Sequence, residues 1–560
     1  MERKMAQEVR HIWLGADSIV TALGDRRDTL SSIQEHHTGL CMDESLDMVC
    51  GRIGDGSEPI PGYTRLESHV IHAVGQVLEQ SGVSLADKNV RFIFSSTKGN
   101  IDCIENCGGE IPSEAFLGEC ARRIAAYFHA ALPPITISNA CISGVSALVV
   151  GQRLLLNGVC DYVVIAGGDM LSPFIAEGFR AFKSVSGQPC RPYDKDRDGL
   201  SLGEACGALL LTTCRSKALE PAVALAGGAV TNDANHISGP SRTGDGLYYA
   251  IRAAMRQADV EPQQVAMVNT HGTATLYNDE MESKAIHLAG LENVPLNSLK
   301  GYIGHTLGAS GVVETIISAQ ELRDGIVYGT KGFSASGVPG SLSVSANHIQ
   351  INGKHCVKTA SGFGGCNAAV VLSLEGGIHQ GSARNAAFEV QETAAYTLPL
   401  SDKPFAEFIR EEFKKLQSPN MKFYKMSDLS KAAYVAVEQL IGGVLAQANL
   451  APGEVALVLA NRSASLDTDL QHQRILDEKT EPVSPAVFVY TLPNVAAGEI
   501  CIRHKIQGDN TFFIENQDSG LAESYARLLI AGGYAKAVVC GWCDFLNGKW
   551  DVRLKWLERK

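Results

Sequence analysis

No stretch of this chain approaches the ~18 consecutive apolar residues of a membrane-spanning helix. The first residues, Met-Glu-Arg-Lys-Met-Ala-Gln-Glu, also lack the apolar core of a secretion signal. A membrane span is therefore not expected, and a cytoplasmic protein is. Blocks of basic residues are missing too: the formal net charge is −12, which argues against a nucleic-acid surface. The pattern that frames disulfides is absent, since the fifteen cysteines are odd in number and scattered, as suits a reducing compartment. Cys540-Gly-Trp-Cys543 has no second CxxC to complete a four-thiolate cage. Cys103 and Cys107 make a poor other half, and Cys540 closes the strand-like run Ala537-Val-Val-Cys540. No metal site is expected.

What is present suits buried α/β cores: 45% of the 560 residues are apolar, enough chain for two to four domain-sized units. Strand-like runs at 90–94, 135–137, 162–165, 208–211, 265–268 and 368–374 alternate with helical periods at 65–80, 145–156, 245–258, 279–289 and 311–323. The most informative junction is Ser138-Asn-Ala-Cys141-Ile-Ser-Gly144, where a strand ends and a small-residue helix begins. A free cysteine is usually an inert small hydrophobe. At the start of a helix its thiolate is favoured, and a thiol there can hold an acyl group as a thioester. Two glycine-rich turns with histidine follow, Asn269-Thr-His271-Gly-Thr273-Ala-Thr275 and Lys300-Gly-Tyr-Ile-Gly304-His305-Thr-Leu-Gly308-Ala-Ser-Gly311, and then Ser361-Gly-Phe363-Gly-Gly365.

These four segments, in this order, resemble the β-ketoacyl synthase family of the thiolase superfamily. The resemblance implies a five-layered αβαβα fold made of two similar halves, about 1–215 and 220–377. It also implies an acyltransferase performing decarboxylative Claisen condensation of an acyl thioester with malonyl-acyl carrier protein, in fatty acid, polyketide or aryl-polyene biosynthesis. Cys141 is then the acyl acceptor, and His271 and His305 are neutral donors to the malonyl thioester oxygen. Lys300 and Glu314 complete the polar cluster. Phe363 is the gate, its backbone N–H sharing the oxyanion hole with that of Cys141, and Thr273 and Thr275 contact the phosphopantetheine arm. That arm is carried by the partner acyl carrier protein, so no cofactor of the chain's own is implied. Arg191–Glu204 and Asn232–Pro240 look like structural landmarks of the family. A thiolase would use a second cysteine near the glycine loop, where Cys366 stands, and a chain-initiating synthase would have Asn at position 305. His305 favours elongation. A non-catalytic scaffold subunit of chain-length-factor type is the rival from another class, and Cys141 argues against it for residues 1–377.

After a polar, aperiodic stretch at 378–400, read as a linker, the chain repeats itself. Ser427–Leu440 matches the helix at 65–80, Val455–Ala460 the strand at 90–94, and Lys536–Asp544 echoes Asp161–Asp169. Matching Ser519-Gly520 to Ser143-Gly144 puts Gln517 where Cys141 stands, and no histidine turns follow. Residues 401–560 thus resemble a truncated second α/β domain, the N-terminal half of a ketosynthase without its nucleophile. A homodimer, or a heterodimer with a ketosynthase-like subunit, is the expected assembly.

Overall fold

The computed structural model describes residues 10–54, 59–105, 107, 110–377, 388–416, 420–442, 445, 449–479 and 482–560. The N-terminal residues read for a secretion signal, and the first part of the expected linker, lie outside the described residues.

Most of the chain's strands join one sheet. In chain order they are β1 (Trp13–Thr21), β2 (Val90–Ser95), β3 (Ile135–Ile137), β4 (Tyr162–Asp169) and β5 (Ala205–Thr212). Next come β6 (Val223–Asn232), β7 (Val265–Asn269), β8 (Leu296–Asn297), β9 (His355–Gly362) and β10 (Cys366–Leu374). The last five are β11 (Val390–Thr397), β12 (Val455–Asn461), β13 (Asn510–Ile514), β14 (Ala537–Leu546) and β15 (Lys549–Arg559). Their order across the sheet is β8-β7-β9-β10-β6-β1-β5-β4-β2-β3-β13-β12-β14-β15-β11.

This order contains one five-strand pattern three times. In β1–β5, β2 runs parallel to β3 and β4, and β4, β5 and β1 follow antiparallel. The second group, β6–β10, has the same pairings with β7 at its centre, and the third, β11–β15, has them around β12. The first two groups meet edge to edge at Trp13↔Ala224, beside which Leu225 N–H donates to Ile12 O at 2.8 Å. Between them lie the helices Ser143–Leu156 and Ser310–Asp324, buried along nearly their whole length. Such a helix has no polar face to turn to water and is stable only inside a layered core. The amphipathic helices Arg65–Ser81 and Asp245–Ala258 cover the outer faces, completing five layers.

The third group continues the sheet of the first. β3 pairs antiparallel with β13, Ile137 facing Phe513 and Thr136 facing Ile514, and Ser138 N–H donates to Phe512 O at 3.1 Å. The inner registers correspond: Ile93 faces Ile135 and Ile165, while Val458 faces Thr511 and Cys540. Six residues beyond Ile135 is Cys141, and six beyond Thr511 is Gln517, so Gln517 holds the position in the third group that corresponds to Cys141 in the first. Gln517 is exposed. One apolar core, with Phe94 and Leu148 from the first group and Leu459 and Trp556 from the third, runs through both. A buried ion pair joins them, Arg153 Nη1 to Asp509 Oδ2 at 2.6 Å, with Tyr525 Oη also 2.6 Å from that nitrogen.

Two expectations need correction. Residues 390–397, taken as part of a 378–400 linker, form β11 at the sheet edge against β15. An edge strand exposed on one face has few apolar residues, so its period is faint. The helix after Cys141 begins at Ser143 rather than at the cysteine itself. The intervening turn is held by Ser143, whose Oγ accepts from Asn139 N–H (2.8 Å) and donates to Ala140 O (2.6 Å).

Candidate active site

Cys141 is presented by a tight elbow. Ala140 adopts φ 48°, a left-handed conformation that costs a residue with a Cβ about 1 kcal/mol or more. The third strand group clamps this turn. Asn139 Nδ2 donates to Asn510 O at 2.7 Å, and Asn139 Oδ1 accepts from Phe512 N–H at 2.8 Å. The His305 turn is brought against it where the two central helices cross at glycines. A Cβ on Gly144 would lie 2.8 Å from Val312 N, and one on Gly311 would lie 2.2 Å from Val145 N.

His271 follows β7 on a turn whose N–H groups converge on Glu282. His271 N–H donates to Glu282 Oε1 (2.8 Å) and Gly272 N–H to Oε2 (2.6 Å). His305 N–H donates to Ser201 O at 2.7 Å, so the Arg191–Glu204 landmark supports this second turn. Its Nδ1 accepts from Leu307 N–H at 3.3 Å, which leaves the proton on Nε2. The two rings stand edge to face at 5.0 Å, and ligand-type atoms of Cys141, His271 and His305 lie within 4.8 Å of one another. All three residues are buried.

Behind them, Glu314 bridges two lysines. Lys300 Nζ is 2.7 Å from Oε1, and Lys358 Nζ is 2.5 Å from Oε2, with all three side chains inaccessible. Lys358 escaped the sequence reading. Its signal was a lysine inside the strand-like run around it, in β9, since lysine is almost never buried unless paired. One carboxylate facing two ammoniums makes this end of the site positive. Burial, then Lys300, lower both imidazoles well below their usual range, with Lys358 adding to the shift. Burial also pushes the Cys141 thiol up to about 12, against the opposing pull of Lys300. Burial therefore opposes the thiolate that a helix N-terminus would favour, and the helix itself begins two residues later, at Ser143. The ligand atoms of Cys141, His271 and His305 could clasp a soft cation.

Phe363 stacks on Phe182 (5.2 Å) and Phe179 (6.1 Å), in the loop between β9 and β10. That loop reaches the Cys141 amide: a Cβ at Gly362 would lie 3.2 Å from Cys141 N. The Asn232–Pro240 landmark holds it, Asn232 Nδ2 donating to Gly364 O (2.9 Å) and Asp233 N–H to Gly365 O (2.7 Å). Asn494, from the third group, donates to Phe363 O at 2.8 Å. Cys366 Sγ donates to the same carbonyl at 3.2 Å and is buried. Thr273 and Thr275 hydroxyls lie 3.0 Å apart at the start of the helix Leu276–Leu288, beside the exposed Leu276 and Tyr277. Cys540 and Cys543 are both buried in β14.

A tight cavity of about 20 Å³ opens from Cys141. Ile175, Phe179 and Leu307 line it from the first 377 residues, and Phe488 and Leu492 from the third group. Phe488 can enter because position 178 is glycine; a Cβ there would meet its ring at 2.1 Å. These contributions from 388–560 were not readable from sequence, because the repeat had no partner surface until the sheet was assembled.

Comparison with known proteins places this geometry. Family models described as the β-ketoacyl synthase N-terminal and C-terminal domains match residues 113–216 and 222–334. Residues 113–334 thus match the β-ketoacyl synthase family. The chain is 29% identical over 333 residues to 3-oxoacyl-[acyl-carrier-protein] synthase 2 of Vibrio cholerae, covering 53% of this chain and 79% of that one. It is 30% identical over 249 residues to the polyketide biosynthesis malonyl-ACP decarboxylase PksF of Bacillus subtilis, covering 42% and 60%. Among solved structures, the ketosynthase ApeO in complex with its chain length factor ApeC from Xenorhabdus doucetiae matches at 26% identity. Its TM-score is 0.59, over 65% of this chain and 98% of that one. The PfaC keto synthase-chain length factor, 14% identical, shares the fold over 98% of this chain and 78% of its own, with a TM-score of 0.78. This ketosynthase therefore has the thiolase-like α/β fold and is an acyltransferase. No helix among the described residues is long and apolar enough to cross a membrane.

Proposed function

We propose that the chain is an elongating 3-oxoacyl-(acyl carrier protein) synthase, with Cys141 as acyl acceptor and His271 and His305 as the decarboxylation pair. The observation that carries this reading is a thiol and two neutral, buried imidazoles within 4.8 Å of one another. An acyl group passes from the thiol of a carrier-borne phosphopantetheine to Cys141 Sγ, and the proton lost by Cys141 balances the carrier thiol released. The malonyl thioester then binds with its carbonyl oxygen toward His271 and His305. As the bond to the carboxylate breaks and carbon dioxide leaves, its electron pair becomes an enolate, whose oxygen the two N–H groups stabilise. The enolate carbon attacks the acyl carbonyl. The resulting oxyanion is met by the backbone N–H groups of Cys141 and Phe363. Collapse breaks the S–C bond and yields a 3-oxoacyl-carrier protein, and the departing Cys141 thiolate takes from solvent the one proton that the overall reaction consumes. Thr273 and Thr275 contact the pantetheine arm at the mouth, and no bound cofactor takes part.

The test is turnover of an acyl primer with malonyl-carrier protein. One carbon dioxide per 3-oxoacyl product is expected. Carbon dioxide without a new carbon-carbon bond, the reaction named for PksF, would contradict elongation.

Residues 388–560 act, on this reading, as a tethered non-catalytic partner of chain-length-factor type. Support comes from the β3–β13 pairing and from Gln517, which holds the position in the third group that corresponds to Cys141 in the first. A tethered partner occupies the β3 edge in cis, so that edge needs no second copy. The chain is expected to scatter light as a 59.8 kDa monomer. A stable dimer held through β3, dissociated by changes on that strand, would contradict this.

A further inference from the structure

Lys98 is out of place in an apolar slot. It follows β2, its side chain is 5% exposed, and its ammonium sits 5.4 Å from the Phe174 ring centroid. Its hydrogen-bond partners all come from the third strand group's side. Nζ is 2.7 Å from Asp469 Oδ1 and 3.2 Å from Ser465 Oγ, and it also donates to Thr491 O. Asp469 is equally buried, at 3% exposure of its side chain. Ser465 Oγ in turn lies 3.3 Å from Asp469 Oδ2 and donates to Thr491 O.

Lys98 lines the cavity that opens from Cys141, and it also lines a second cavity of about 10 Å³. The second is walled by Ala115, Leu117, Ala464 and Leu466. The ion pair thus stands between two small chambers whose other walls are largely apolar. An ammonium has three donors, and here all three are taken. A buried pair of this kind is strongly held once formed, because freeing either charge in a dry interior is costly. It acts as a plug, with no donor left over to greet a polar acyl terminus.

We propose that the Lys98–Asp469 pair is the end stop of the acyl slot and sets the longest acyl group that Cys141 accepts. The proposal rests on the assignment of Cys141 as acyl acceptor. With the stop in place, a saturated chain ends at the Lys98 stem. With it removed, the two chambers join, and the chain can extend by about four carbons, the length of the lysine stem.

The test is intact-mass measurement of acyl loading with a panel of saturated acyl N-acetylcysteamine thioesters of increasing length. The wild-type chain is compared with two double variants. Lys98→Ala/Asp469→Ala removes the plug and leaves no unpaired charge. Lys98→Met/Asp469→Leu removes the charges and keeps the bulk. The Ala pair is expected to raise the ratio of long- to short-chain loading at least about tenfold, since each added methylene gains burial. The Met/Leu pair is expected to keep the wild-type profile. An Ala pair that melts as a folded protein and loads the wild-type range would overturn the proposal. So would a Met/Leu pair that lengthens the profile as much as the Ala pair, because general loosening of the interface would then be the cause. A wild-type chain that takes no acyl group at all would overturn the Cys141 assignment instead.

Discussion

Replacing Cys141 by Ala is expected to abolish acyl loading and condensation while leaving malonyl decarboxylation. No other side chain in the slot can form a thioester at that elbow, and the loss is of the covalent step itself. The fold should survive: the sulfur fills a buried position, and removing one such atom costs on the order of 1 kcal/mol. The histidine pair does not depend on it, since His305 is oriented by Leu307 N–H and Ser201 O, and His271 by Glu282. Carbon dioxide release from malonyl-carrier protein without product formation separates the two half-reactions. Loss of both activities in a folded Cys141→Ala protein would mean that the thiol also takes part in decarboxylation.

The reverse separation is expected for His305→Ala. This variant should still load acyl groups on Cys141 but should decarboxylate malonyl-carrier protein roughly 100- to 1,000-fold more slowly, the usual cost of one oxyanion donor. The pH dependence follows from the same surroundings. Burial and the nearby lysines lower both imidazoles, so the neutral, donating form persists as pH falls through 6.5. The wild-type decarboxylation rate should therefore show no fall with a midpoint near the ordinary histidine value. A clear fall centred at 6.5 would show that the histidines titrate normally and that their burial is not maintained during turnover.

That Cys141, His271 and His305 come together was legible in the sequence because they sit on turns rich in small residues, where side-chain type and spacing carry information that packing does not blur. The α/β alternation was legible from its periods, while the five layers were implied only by the family resemblance. Lys358 was not, since a single lysine in a strand says nothing of the carboxylate it meets until β9 lies beside the helix Ser310–Asp324. The Lys98–Asp469 pair was further from reach, as its members belong to segments far apart in the chain. Periodicity also missed β11, an edge strand with one polar face. The repeat itself was visible, and the hydrogen-bond register between β3 and β13 turns it from a sequence echo into a shared sheet whose Phe488, Leu492 and Asn494 complete the site.

The most direct measurement is peptide mass mapping of the intact chain after incubation with an acyl thioester. The expected result is a single acyl group on the peptide that contains Cys141. An acyl group on Cys366, or on no cysteine at all, would contradict the assignment.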